Sequence, residues 1–155
     1  MENNVYAAPD SDVNVQSNSD VNKIYSPTQV AVGTFLGGPV GLMYFLMSNF
    51  GTLQKHDSKQ KTLYAGIGLI VLLLLTMPFL PDDFPSLPFT VAYVIIARYV
   101  ADNQQMKKQE IVESDNYVFQ SNWKVLGMGL LSIVGSMLAI LGPLLVLEFT
   151  GVISL

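Results

Sequence analysis

Apolar residues gather in four blocks along this chain, and the polar stretches between them mark the elements they predict. Residues 1–25 are rich in Asn, Ser, Asp and Val, with charges at Glu2, Asp10, Asp12, Asp20 and Lys23. Such a segment cannot bury a core and is expected to be a disordered acidic tail. It lacks the basic start and early apolar run of a cleaved signal, so the first apolar helix is expected to direct insertion itself. Ser26-Pro27 reads as an N-cap with proline at the first helical position, opening an apolar segment over 27–50. At about 1.5 Å per residue it is long enough for a hydrocarbon core of ~30 Å.

The second segment, 62–80, contains the run Leu69 to Leu75, which favours insertion by a few kcal/mol on a scale of roughly −0.3 to −0.6 per residue. Pro81 to Ser86, including Asp82-Asp83, reads as a tight turn. The third segment, 87–101, is short enough to be a re-entrant piece, but it is read as a crossing because re-entry would split the basic residues across the membrane. Arg98 is expected to snorkel while the helix continues toward Gln109. The fourth covers 124–147. Trp123, Lys124 and Arg98 fall where interfacial anchors belong, as do Tyr25, Phe50, Tyr64, Phe84 and Tyr99. The fold class expected is therefore all-α: one domain over 26–155, with four transmembrane helices in a compact bundle.

Orientation follows from the basic residues. Lys55, Lys59 and Lys61 lie in the connection 51–61, while Arg98, Lys107, Lys108 and Lys124 flank or lie within 102–123. Only Lys23 falls on the other side of a four-span arrangement. The positive-inside rule then places both connections in the cytoplasm and both termini in the periplasm.

Composition agrees with a membrane protein: half of the residues are apolar and 13% are charged. A net charge of −4 without a basic run excludes nucleic acid as a partner. There is no cysteine, which removes disulfides and thiolate metal sites. His56 is the only histidine and reads as a solvated loop residue, so neither a hydrolytic triad nor a metal site can be assembled. Asp82-Asp83 reads as a solvated turn. No cofactor is expected, and no catalytic set is recognisable.

Packing supplies the positive signals. Gly33, Gly37 and Gly41 are four apart, and on a straight helix they share a small, polar face with Val30, Thr34, Tyr44 and Ser48. Val32, Phe35, Leu42, Leu46 and Phe50 form the bulky face. Ser132, Gly135, Ala139 and Gly142 make a second small-residue stripe; packing of these stripes within a single four-helix bundle is expected, with self-association through the first helix as the alternative. Pro39, Pro78 and Pro143 predict kinks. Pro39 lies on the bulky side, so it is expected on the convex outer surface of a bent helix whose glycine face curves inward.

Tyr25-Ser26-Pro27-Thr28-Gln29-Val30-Ala31, Thr34-Phe35-Leu36-Gly37-Gly38-Pro39 and Leu80-Pro81-Asp82-Asp83-Phe84-Pro85 resemble motifs of a group of small bacterial inner-membrane proteins. Asn4-Val5-Tyr6-Ala7-Ala8-Pro9 is similar to their short N-terminal tail but lacks its first proline. The resemblance covers roughly residues 25–100 and implies a bacterial inner-membrane protein without implying an activity.

The function expected is non-enzymatic: association in the lipid bilayer with a second copy or with another membrane protein. The alternative is a small transporter or channel subunit whose proline-broken helices line a pathway. No Asp or Glu lies in the middle of any of the four segments, which weighs against proton- or cation-coupled transport. A membrane enzyme ranks third and would need an external cofactor.

Overall fold

A computed structural model describes residues 21–151 apart from Asp82 and Phe84, so the readings made for the tail before Val21, for Asp82 and for Phe84 lie outside the described residues. In chain order the elements are β1 (Asn22–Ile24), α1 (Pro27–Thr52), α2 (His56–Thr76), a 3₁₀ turn (Met77–Phe79), α3 (Leu87–Gln104), α4 (Lys108–Val112), β2 (Tyr117–Phe119) and α5 (Asn122–Phe149). Three helices, α1, α2 and α5, are long and apolar enough to cross a membrane. Helix α3 is not among them, because Arg98 and the polar end Asp102-Asn103-Gln104 lower its apolar character.

Helix α1 is not one rod. Twenty-four residues of straight helix would separate Tyr25 from Asn49 by about 36 Å, yet the Tyr25 N–H donates to Asn49 Oδ1 at 2.9 Å. The Tyr25 and Phe45 rings lie 4.9 Å apart. The chain reverses at Gly38, whose φ of 61° and ψ of −148° are non-helical and strained for any residue bearing a Cβ. Arms 27–37 and 39–52 therefore run back along each other as a helical hairpin with both ends on one side. By helical rise the arms are about 16 and 21 Å long, short of the ~30 Å needed for a crossing. The single crossing read for 27–50 is thus corrected: apolar length alone does not distinguish one long helix from two half-length ones.

The hairpin forms the core. Of the most apolar window in each helix, 56% is buried in α1, against 11% in α2 and 17% in α5. Helices α5, α3 and α2 pack around α1 and meet it more extensively than they meet one another. This position overturns the two-faced reading of α1: Leu42, Leu46 and Phe50 of its bulky face are buried, while Val32 and Phe35 face outward. Pro39 is buried too, so it does not mark a convex outer surface.

Several boundaries differ from the sequence reading. Asn22–Ile24 pairs in parallel with Tyr117–Phe119, adding two short strands to an otherwise helical fold. Ile24 and Tyr25 are buried and belong to the folded unit, not to a tail. Helix α2 begins at His56, inside the stretch read as a polar connection, and α4 and β2 lie within 102–123. Helix α3 stops at Gln104, short of Gln109.

Both ends of α1, the start of α2, the end of α3 and the start of α5 meet at one end of the molecule, tied by long-range hydrogen bonds. Lys55 Nζ donates to the Gln104 carbonyl at 2.6 Å, and Gln29 Nε2 donates to the Gln120 carbonyl and to Asn122 Oδ1, both at 2.7 Å. All of the chain's eight Lys and Arg residues lie in or beside elements of that end. The end of α2, the start of α3 and the end of α5 lie at the opposite ends of their helices, away from it.

Candidate functional site

The hairpin has two chemically distinct regions, a broken tip and a polar mouth. At the tip, Gly37, Gly38 and Pro39 interrupt the helical hydrogen-bond ladder in an apolar setting, where an unpaired backbone group is costly. Ser136 of α5 closes the gap. Its hydroxyl donates to the Gly37 carbonyl at 2.6 Å and accepts from the Val40 N–H at 3.1 Å. Removing it with Ser136→Ala takes away the acceptor of the Val40 N–H and a donor to the Gly37 carbonyl, and is expected to lower stability by about 1–2 kcal/mol. Thermal unfolding in mild detergent would register this as a lower midpoint.

Glycines permit the approach that makes this contact. A Cβ on Gly37 would lie 2.6 Å from Ser132 Cβ, and one on Gly41 would lie 2.9 Å from the Gly33 carbonyl oxygen in the opposite arm. A Cβ on Gly33 would strike the Phe45 ring at 2.2 Å. The glycine row and Ser132 are thus brought together inside the molecule, as expected of internal packing, but Gly33 and Gly41 face each other across their own hairpin. Gly135 sits beside Val40, whereas Ala139 is half-buried and a Cβ on Gly142 would meet nothing within 4 Å. Gly142 is therefore not a packing position here.

The kink assignments change in the same way. Gly38, not Pro39, carries the non-helical torsion in α1. Pro78 falls in the 3₁₀ turn after α2 and does not bend that helix. Pro143 lies within α5, which runs on helical from Asn122 to Phe149.

The mouth is held by Asn49, which the sequence reading did not single out. Its Nδ2 donates to the Tyr25 carbonyl at 2.8 Å and to Gln105 Oε1 at 2.7 Å, while Gln105 Nε2 donates to the Leu46 carbonyl at 3.0 Å. One buried amide thereby joins the chain before α1, the second arm and the end of α3. Burial, reinforced by Tyr44, pushes the Tyr25 phenol up and keeps it neutral. A capping box between Ser26 and Gln29 fixes the start of the first arm.

Of the remaining aromatic positions, Phe50 is buried and Tyr99 and Trp123 are exposed near helix ends, while Tyr64 is exposed but lies inside α2, which starts at His56 and not at 62. Lys124 is exposed beside Trp123, and Arg98 pairs with Asp102 at 3.6 Å on the open surface. Among the described residues, no three His, Cys, Asp or Glu side chains converge as metal ligands would. Two clefts, each of about 470 Å³, flank α2: Val40, Met43, Met47 and Lys59 line one, and Leu42, Leu46, Lys61 and Gln104 the other. Comparison of the chain with known protein families, with curated proteins and with solved structures gives no match.

Proposed function

We propose that this chain is a non-enzymatic protein of a bacterial inner membrane in which α2, α3 and α5 cross the bilayer around a re-entrant α1, and that it acts by associating with a second copy or another membrane protein. Its N-terminus lies in the cytoplasm and its C-terminus in the periplasm. This orientation gathers all eight basic residues on the cytoplasmic side, and it replaces the periplasmic N-terminus expected from four crossings. Helix α3 crosses despite its polar end, with Arg98 and Asp102 reaching the headgroup level.

The observation that carries the association reading is the filled interior. The glycine row is spent on internal packing, and Ser136 satisfies the broken backbone at the tip. Function is then left to the outer faces of α2, α3 and α5. Transport remains the second reading because a break at Gly38-Pro39 within an apolar hairpin is a feature of helices that line pathways. Photo-crosslinking from the exposed Leu131 and Leu138 is expected to trap one reproducible adduct. Liposomes holding only this protein should be no leakier than empty ones; solute movement through them would favour transport.

A further inference from the structure

The cleft between α2 and α3 is apolar inside and basic at its mouth. Leu42 and Leu46 of α1, Leu69 of α2 and Ile96 of α3 line it, with Lys61 and Gln104 at the end shared with the other cytoplasmic elements. Lys55 reaches the same rim through its 2.6 Å bond to the Gln104 carbonyl. The volume, about 470 Å³, falls within the ~300–1,000 Å³ typical of small-molecule clefts. Because α1 holds α2 and α3 apart, the cleft opens sideways between two helices that the proposed topology places in lipid.

We infer that this cleft binds one anionic phospholipid of the cytoplasmic leaflet, its acyl chain along Leu46 and Leu69 and its headgroup phosphate against Lys61 and Lys55. The occupant follows from charge complementarity. Lys61 lines the rim and Lys55 stands beside it, bonded to the Gln104 carbonyl; the nearby carboxylate Asp102 pairs with Arg98 on the open surface, and Asp57 lies near Lys55 in the first turn of α2. A zwitterionic lipid would fill the apolar part equally well but would bring its own cation to the lysines. This inference rests on the membrane topology proposed above.

The test uses a tryptophan at Ile96, half-exposed at the cleft edge, in a Trp123→Phe background, reconstituted with brominated phosphatidylglycerol or brominated phosphatidylcholine. A matched reporter, Leu130→Trp in the same background, stands eight residues into α5 on an exposed face, at the depth that Ile96 has from the end of α3. Quenching at Ile96→Trp is expected to show about a five-fold preference for the anionic lipid, the factor for one lysine near an anionic surface. Quenching at Leu130→Trp should show little preference. Lys61→Gln with Lys55→Gln, or Leu69→Phe, which narrows the cleft, should remove it, and Lys108→Gln should not. Equal quenching by both lipids at Ile96→Trp, with normal quenching at Leu130→Trp, would overturn the lipid site alone. No quenching at either position would overturn the membrane topology as well.

Discussion

Gly41→Leu is expected to force the two arms of α1 apart and to destabilise the protein by at least about 3 kcal/mol, the upper end of the range for overpacked cores. The obstacle is what makes the effect large. A Cβ at this position meets the Gly33 carbonyl oxygen at 2.9 Å, and a backbone atom cannot rotate away as the end of a side chain can. Gly33→Leu should be milder if the Phe45 ring turns aside. Gly38→Ala adds little volume but places a Cβ on a left-handed φ of 61°, at an expected cost of about 1–3 kcal/mol. Gly142→Leu provides the contrast: with nothing within 4 Å of its Cβ position, it should leave stability nearly unchanged. Detergent unfolding of the four variants would place them in that order. A silent Gly41→Leu would mean that the arms do not touch.

Asn49→Leu should have the second largest effect. Leucine keeps the branched shape of asparagine, though with more bulk, and strands the N–H and carbonyl of Tyr25, both in a buried setting, at about 1–3 kcal/mol for each unsatisfied group. Gln105→Ala is expected to cost less, since Gln105 is only partly buried and the Asn49–Tyr25 pair survives its loss. Losing the pair should also free the chain before α1, so trypsin cleavage after Lys23 in β1 should accelerate in Asn49→Leu and change little in Gln105→Ala. Equal cleavage in the two variants would locate the clamp elsewhere.

The sequence located the apolar segments to within a few residues, since length and hydropathy are properties of a window and need no partner. It misassigned the first because a window cannot report that a segment meets itself. The clue was present in Gly37-Gly38-Pro39: a glycine able to take a left-handed torsion, followed by a residue without an N–H, is a place to reverse as well as to bend. Gly33, Gly37 and Gly41 were legible as close-packing positions, but their four-residue spacing suggested one face of a straight helix, whereas Gly33 and Gly41 oppose each other. The mouth was harder to read. Asn49 looks like the polar end of an apolar run, and its partners Tyr25 and Gln105 are 24 and 56 residues away. Ser136, four residues after Ser132, completes a hydroxyl pair on one face of α5, yet only the break in α1 gives its hydroxyl something to bridge.

The central claim is that α1 enters and leaves on one side, so that its two ends and the basic connections share a compartment. The absence of native cysteine makes this directly testable. Single cysteines at Val21, Gln54, Asp83 and Asp115 can be exposed to a membrane-impermeant maleimide in intact spheroplasts and in inverted vesicles. Val21, Gln54 and Asp115 should be protected in spheroplasts and labelled in inverted vesicles, with Asp83 showing the reverse. Labelling of Val21 together with Asp83 from the outside would contradict the hairpin and restore a crossing by the first segment.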